Sequence, residues 1–276
     1  MDDARLREGM IAEMRRSGSI TSAAVTRAFE RVPRHRFVPE VSLSDAYADR
    51  AISIKGEGVD TVASISQPSM LSRMLELAQI EPGNRVLEIG TGSGYNAALM
   101  SELAGPQGRI VTVEIEADLA ERAAATLRAC GYENVRVVLE DGHAGSAEDA
   151  PYDRIVVSAR ATDIAAAWWE QLADGGHIVV PLEIGIGGEY AVGFARSGNE
   201  LRSEGVVHCL FVPLRGEQSA SREHVFARSS NARYISRPRS IRSIKAVKTA
   251  EALPELLERA DIVVAQPQTT FAVTWD

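Results

Sequence analysis

Cysteine is scarce in this sequence, aromatic residues are few, and no apolar run is long enough to cross a membrane. The two cysteines, Cys130 and Cys209, are far apart in apolar surroundings, so we expect buried reduced thiols rather than a disulfide or a metal site. The first ten residues read MDDARLREGM, which are charged and lack the apolar core of a signal peptide. These shortages predict a cytoplasmic protein with no membrane partner and no bound metal.

A surplus of positive charge is also missing. The chain has 38 acidic against 30 basic residues, a formal net charge of −8, which gives no general attraction to nucleic acid. Hydrophobic residues make up 45% of the 276 positions and aromatic residues only 5%, so aliphatic side chains must fill most of the core. We therefore expect one large α/β domain with a small appendage and no nucleic-acid partner.

Short apolar runs alternate with helical segments over the middle of the chain. The runs lie at 86–89, 110–113, 135–139, 155–157 and 178–181, and the helical segments at 97–103, 117–130 and 164–172. Strands that alternate with helices predict a doubly wound, mostly parallel sheet of the Rossmann-like α/β class. Two further runs, 190–194 and 206–212, predict an antiparallel pair that completes a seven-stranded sheet.

The two ends of the chain depart from this alternation. Apolar spacing predicts two N-terminal helices, and Gln67-Pro68 predicts the start of another, while residues 41–65 are expected to be irregular with a flexible loop at Gly56 and Gly58. The last sixty residues predict a small α+β extension, with a helix at 253–260 and an apolar strand at 262–265. We divide the chain into N-terminal helices with a substrate loop, a core domain and this extension, at 1–80, 81–216 and 217–276.

The segment 86–96 carries the strongest signal for a ligand. It reads VLEIGTGSGYN, which is a buried strand, three alternate glycines and a helix start. The segment lacks the Gly-Lys-Ser/Thr ending of a Walker A loop. Its third glycine also comes one position too early for the G-x-G-x-x-G motif of a dinucleotide site. Glu88 at the end of the strand would repel pyrophosphate but suits the cationic amino group of S-adenosylmethionine. A dinucleotide site and a plain tight turn remain the alternatives.

Two more acidic residues follow the next two predicted strands. Glu114 ends the second strand, where a carboxylate can accept both ribose hydroxyls, and Asp141-Gly142 follows the third, where an acid can take the adenine amino group. Either acid alone is equally compatible with a solvated loop. Together, at the carboxyl ends of parallel strands, they favour an S-adenosylmethionine-dependent methyltransferase.

More specific motifs lie outside the glycine turn. They read RVPRHRFVPE at 31–40, AYADR at 46–50, SISQP at 64–68, QLADGG at 171–176 and FVPL at 211–214. With the glycine turn, they resemble the protein-L-isoaspartate O-methyltransferase family over residues 6–216. The resemblance implies a methyltransferase fold and methyl transfer from S-adenosylmethionine to an isoaspartyl or aspartyl carboxylate, whose ester then collapses to a succinimide (aspartimide).

The resemblance also implies site residues. Ser66 matches the family's active-site serine, whose hydroxyl would orient the carboxylate, although a helix N-cap before Pro68 is an alternative role. The residues expected on the cofactor side are Ser64, Glu88, Gly90, Thr91, Gly92, Ser93, Gly94, Asn96, Glu114, Ile115, Asp141 and Gly142. Those expected on the substrate side are Val62, Ile65, Gln67, Pro68 and Arg160.

Most departures from the family pattern lie on the substrate side; one, Glu140 in place of a glycine before Asp141, lies on the cofactor side. The loop 54–63 is longer and more polar, Arg160 stands where small residues or proline are usual, and residues 217–276 lie beyond the usual end. The run Arg222–Lys248 has eight basic residues and one acidic residue, so it could bind an acidic precursor peptide or be a solvated face. Repair of isoaspartyl proteins and tailoring of an aspartate in a graspetide- or lanthipeptide-type precursor are therefore both open. A non-catalytic cofactor-binding module is a further alternative.

Overall fold

The computed structural model describes residues 2–183 and 188–216, and beyond them four strands. The helices in these residues are α1 (Asp3–Arg16), α2 (Ala23–Arg31), α3 (Leu43–Ala46), α4 (Pro68–Ala78), α5 (Tyr95–Ala104), α6 (Ala117–Ala129) and α7 (Ala166–Gln171). The strands are β1 (Ile52–Lys55), β2 (Ala63–Ile65), β3 (Arg85–Ile89), β4 (Arg109–Glu114), β5 (Val135–Leu139), β6 (Tyr152–Val157), β7 (Leu172–Leu182), β8 (Glu189–Ser197), β9 (Glu200–Cys209), β10 (Val225–Ala227), β11 (Ile241–Lys248), β12 (Ile262–Ala265) and β13 (Thr269–Trp275).

A central sheet contains every described strand after β2. Its order is β10-β12-β13-β11-β9-β8-β7-β6-β3-β4-β5. Strands β3 to β7 run parallel, and β8 and β9 add an antiparallel hairpin, so the expected seven-stranded methyltransferase-like sheet is confirmed. The C-terminal strands continue the same sheet to eleven strands, because β11 pairs with β9. The expected strand at 262–265 is present as β12, and the expected helix at 253–260 lies outside the described residues.

The central parallel strands β3, β4 and β6 are mostly buried on both faces, which is why they read as continuous apolar runs. On one face, Val86 and Ile110 pack with the N-terminal helices and α5. On the other, Leu87 and Val111 pack with Trp168 of α7. The strand ends that carry the polar residues of the glycine turn are therefore held between two apolar layers.

The N-terminal helices follow the sequence prediction closely. Ser22 is the N-cap of α2, and its hydroxyl accepts a hydrogen bond from the amide of Val25 at 3.1 Å. The Glu76 carboxylate of α4 accepts the amides of both Thr21 and Ser22 at 2.8 Å. These hydrogen bonds hold the start of α2 against α4, the helix that follows the expected catalytic serine.

The expectation that residues 41–65 are irregular is wrong. This segment forms α3 and a hairpin of β1 and β2, in which Ile52 pairs with Ile65 and both are buried. Gly56 has a φ of +78°, and a Cβ there would lie 2.2 Å from the backbone oxygen of Asp60. This glycine is therefore required by a tight turn and does not mark the flexible loop that we expected. The strands were missed because each is only three or four residues long.

Other boundaries also differ from the expected ones. Strand β9 ends at Cys209 rather than at 212, and the following residues leave the sheet. Both cysteines are free thiols; Cys209 is buried, as expected, and Cys130 is half-buried. None of the described helices is long and apolar enough to cross a membrane.

Candidate active site

A cavity opens at the carboxyl ends of β3, β4 and β6. It encloses about 770 Å³, including open solvent at its mouth. Its walls are the end of the β1–β2 hairpin, the glycine turn and a segment after β9. It brings together thirteen of the eighteen expected site residues, namely Val62, Ser64, Ile65, Ser66, Glu88, Gly90, Thr91, Gly92, Ser93, Asn96, Glu114, Ile115 and Gly142.

The glycine turn needs its glycines for two different reasons. Gly90 and Gly92 have φ values of +94° and +53° and line the cavity, so they let the backbone approach a ligand. Gly94 also has a positive φ but does not line the cavity. A Cβ on Gly94 would lie 3.1 Å from Leu127 of α6, so this glycine permits close packing of the turn on that helix.

Glu88 is a fully buried carboxylate on the floor of the cavity. It accepts hydrogen bonds from Thr112 at 2.6 Å, from the Asn96 amide at 2.8 Å and from Ser158 at 3.1 Å. Burial raises the pKa of Glu88 to about 7, although the three hydrogen bonds act in the opposite direction. Thr112 and Ser158 could not be predicted from the sequence, because they neighbour Glu88 only through the pairing of β3 with β4 and β6.

Asn96 leaves one polar atom without a partner beside this carboxylate. Its Nδ2 donates to Glu88, but its Oδ1 is buried with no hydrogen-bond partner among the described residues. An unsatisfied buried oxygen costs about 1–3 kcal/mol, so it indicates a position where a ligand donor fits. One carboxylate and one free amide oxygen together suit an ammonium group.

Glu114 is the second acidic group of the cavity. Its Oε2 accepts the amide of Gly92 at 2.8 Å, and its Oε1 accepts the amides of Ile115 and Glu116 at 3.0 and 3.1 Å. These bonds fix the carboxylate at the end of β4, and each oxygen retains lone-pair capacity for a hydroxyl donor. The half-exposed Ile115 beside it offers an apolar surface.

Asp141 stands just outside the cavity wall. Its Oδ1 accepts the amide of His143 and lies 2.9 Å from Nδ1 of the same histidine, whose ring stacks on Trp168. A Cβ on Gly216 would lie 2.3 Å from the Asp141 carboxylate, so the segment after β9 crosses directly over it. Gly142, the neighbour of Asp141, lines the cavity.

Ser66 lies in the opposite wall, at the end of the hairpin. The α4 helix has Gln67 as its N-cap residue and no side-chain cap from Gln67, and the first-turn amide of Ser69 donates to Asp49 at 2.8 Å. The capping role proposed for Ser66 is therefore wrong. Within the described residues its hydroxyl has no hydrogen-bond partner, and it faces the cavity that holds Glu88.

Gln67, Pro68 and Arg160 do not line the cavity. Gln67 donates its side-chain amide to Asp49 at 3.0 Å, and Pro68 is buried at the first turn of α4. The Arg160 guanidinium pairs with Glu189 at 2.7 Å and with Glu183 at 3.2 Å. These three residues therefore surround the cavity and support its walls.

The segment after β9 is a cavity wall that sequence reasoning did not assign. Residues 212–215 line the cavity, and Arg160 holds them through its backbone, which bonds to Val212 and Leu214 at 2.8 Å. Arg215 pairs with Glu116 at 2.7 Å. Lys55 from the hairpin pairs with the other oxygen of Glu116, so one carboxylate just after β4 holds both the hairpin and the segment after β9.

Tyr95 and Leu71 also line the cavity, and the sequence did not predict either as a site residue.

Comparison with known proteins assigns this architecture to a family. The model of the protein-L-isoaspartate(D-aspartate) O-methyltransferase family matches residues 5–219. The chain belongs to this family. Its relatives include the protein-L-isoaspartate O-methyltransferase of Methanothermobacter thermautotrophicus, 42% identical over 76% of this chain and 95% of that protein. The Archaeoglobus fulgidus protein-L-isoaspartate O-methyltransferase 2 is 41% identical over 79% of this chain and 96% of that protein.

Solved structures agree with the fold. A protein-L-isoaspartate O-methyltransferase superposes with a TM-score of 0.71 at 25% identity, covering 98% of this chain and 88% of that one. A structure from Plasmodium falciparum described under the same family name is in complex with S-adenosyl-L-homocysteine. It has a TM-score of 0.63 at 19% identity and covers 76% of this chain and 98% of that one, which supports the fold alone. The family consists of enzymes that use S-adenosylmethionine.

Proposed function

We propose that this protein methylates the free carboxylate of isoaspartyl residues in proteins, with S-adenosylmethionine as the methyl donor. The observation that carries the proposal is a single cavity with two unlike walls. One wall has buried acceptors, Glu88 and the free Oδ1 of Asn96, and the other presents the uncommitted hydroxyl of Ser66. The proposal is consistent with the names of the relatives.

The cofactor side fits S-adenosylmethionine by its donor and acceptor chemistry. Glu88 and Asn96 would accept the ammonium of the methionine part, and Glu114 would accept the ribose hydroxyls. Gly90 and Gly92 remove side chains from the path between them. Gly142, next to Asp141, would border the adenine. When bound, the cofactor supplies a methyl group activated by a positively charged sulfur.

The acceptor side has little chemistry to perform beyond orientation. An aspartyl-type carboxyl group in water has a pKa of about 4, so it is already ionised and nucleophilic at neutral pH and needs no general base. The Ser66 hydroxyl would donate to one carboxylate oxygen and leave the other to attack. Transfer of the methyl group to that oxygen would join an anion and a cation and release a neutral thioether, so charge would be lost in the transition state. Exclusion of water and alignment by the cavity walls would therefore supply most of the catalysis.

The product ester would react further without the enzyme. The backbone amide nitrogen next to the methylated residue attacks the ester carbonyl, methanol leaves, and a succinimide forms. Hydrolysis of that ring gives a mixture of aspartyl and isoaspartyl peptides. Repeated methylation would thereby return isoaspartyl sites to the normal backbone.

Tailoring of an aspartate in a ribosomal peptide is the second candidate. It is favoured by the hairpin at the cavity mouth, whose tip carries the fully exposed Val59. The C-terminal extension no longer argues for it, because a structure named protein-L-isoaspartate O-methyltransferase covers 98% of this chain. Much of the basic run Arg222–Lys248 lies outside the described residues, and its binding to an acidic precursor remains a prediction.

Two peptides that differ only at one residue test the proposal. Purified protein and S-adenosylmethionine would be incubated with an isoaspartyl peptide and with its aspartyl counterpart, and the added methyl group would be located by mass spectrometry. We expect methylation of the isoaspartyl peptide, loss of most of the rate in Ser66→Ala, and wild-type rate in the exposed control Ser197→Ala. Methylation of the aspartyl peptide alone would contradict repair and support tailoring.

A further inference from the structure

Arg34 is a cation in an unusual environment. It is fully buried in a short 3-10 turn, Arg34–Phe37, that follows α2. Its guanidinium lies 5.0 Å from the centre of the Tyr95 ring, on the first turn of α5. Among the described residues no carboxylate comes within ion-pair distance of it. Burial lowers the pKa of Arg34, and the more distant Asp49 carboxylate acts in the opposite direction. A buried charge with no carboxylate in contact is costly, so its presence calls for an explanation in what it touches.

The hydrogen bonds of Arg34 join segments that are distant in sequence. Its Nε donates to the carbonyl oxygen of Ala46 at 2.8 Å, and its Nη2 donates to the carbonyl oxygen of Ser66 at 2.9 Å. A weaker contact from Nη2 reaches the carbonyl of Arg50 at 3.5 Å. The rigid fork of a guanidinium can bind such divergent acceptors at once, which neither lysine nor an apolar residue can do.

The other side of the Ser66 turn is held by Asp49. This exposed carboxylate accepts the amide of Ser69 and the side chain of Gln67. Asp49 belongs to the segment 46–50, which Arg34 holds through its carbonyls. The turn between β2 and α4 is therefore fixed at its carbonyl side by Arg34 and at its amide side by Asp49.

We propose that Arg34 is a positioning residue that holds the Ser66 hydroxyl at its place in the cavity by binding the Ser66 carbonyl, with Asp49 as its partner on the helix side. The inference rests on the proposed function, since it assigns Ser66 the task of orienting the acceptor carboxylate. It adds a residue that lies 32 positions away in the sequence and does not line the cavity. A shift of the serine by about 1 Å can cost on the order of 100-fold in rate, so a backbone tether of this kind matters for catalysis.

Kinetics of variants separate positioning from a purely structural role. We expect Arg34→Met to lower kcat for the isoaspartyl peptide about 10- to 100-fold, with the Kd for S-adenosylhomocysteine within about twofold of wild type. Arg34→Lys keeps the charge but not the fork and should recover only part of the rate. Arg31→Met, a change at an exposed residue of α2, is the matched control and should keep full kcat.

A double-mutant cycle tests whether Arg34 acts through Ser66. If it does, Arg34→Met combined with Ser66→Ala will be no slower than Ser66→Ala alone. Losses of rate that multiply in the double variant would overturn the proposal, because they would show that Arg34 acts elsewhere. Because these rates are compared among folded proteins, circular dichroism and Tm are recorded for each variant.

Amide hydrogen exchange provides a readout that does not depend on activity. Exchange at residues 66–69 should be faster in Arg34→Met and in the conservative variant Asp49→Asn, and unchanged in Arg31→Met. Unchanged exchange there would overturn the inference even if the wild type methylates isoaspartyl peptides. An inactive wild type with faster exchange in the variants would instead overturn the proposed function and leave the tether established.

Discussion

The two walls of the cavity are built on opposite principles. On the cofactor side, Glu88 and Glu114 stand at the ends of buried parallel strands, and neighbouring strands and backbone amides fix both carboxylates. On the acceptor side, a hairpin forms the wall together with the segment after β9, which also extends over Asp141, and ion pairs to the half-buried Glu116 hold both. The rigid sheet thus supplies a general cofactor site, while attached segments decide what reaches it.

The largest change in cofactor affinity should follow from a substitution on the cofactor side, where the sheet fixes the carboxylates. Glu114→Gln replaces one acceptor oxygen by an amide that faces backbone donors, so we expect the affinity for S-adenosylhomocysteine to fall about 30- to 100-fold. The KM for the peptide should change little, since that wall is intact. Calorimetry measures the affinity, and Glu121→Gln on the exposed face of α6 is the control. A peptide KM that rises with the cofactor Kd would contradict the division between the walls.

The pH dependence of cofactor binding should come mainly from Glu88. Burial raises the pKa of the free carboxyl to about 7, whereas a bound ammonium favours the ionised form. Affinity for S-adenosylhomocysteine should therefore rise by about tenfold between pH 6 and pH 8. Stability should change in the opposite direction: the folded protein holds the proton more tightly than the unfolded chain, so this contribution is lost as pH rises through about 7.

The Glu88→Gln variant isolates these two trends. It removes the titrating group while keeping the side-chain shape, so both the rise in affinity and the decline in Tm with pH should flatten. Binding is measured by calorimetry and Tm by thermal melts of the ligand-free protein. Trends that persist unchanged in Glu88→Gln would assign the pH dependence to other groups.

A smaller effect is expected on the attached walls. Glu116→Gln weakens the pairs with Lys55 and Arg215, and because all three side chains are partly exposed, we expect S-adenosylhomocysteine to dissociate only about two- to fivefold faster. Added salt should speed dissociation from the wild type and have less effect on the variant. Displacement kinetics measure the rate. Dissociation that is as slow as in the wild type at every salt concentration would mean that Glu116 does not hold the walls together.

The same contrast explains which parts of the molecule the sequence could predict. Glu88, Glu114 and the glycines follow buried strands, so apolar periodicity located them and the rule for open α/β sheets placed them at one edge. The hairpin was missed because its strands are short, and the role of Ser66 stayed divided between capping and catalysis. Only the fold reveals that Asp49 caps α4, that Glu116 meets Lys55 and Arg215, and that Arg34 binds Ser66.

The claim that the two walls have separate tasks is tested most directly by the Ser66→Ala variant. Its kcat with the isoaspartyl peptide and its Kd for S-adenosylhomocysteine would be measured on one preparation beside the wild type. We predict a kcat at least about tenfold lower with a Kd within about twofold, because the proposed function assigns the serine hydroxyl to the acceptor carboxylate and not to the cofactor. A large loss of cofactor affinity, or an unchanged kcat, would contradict it.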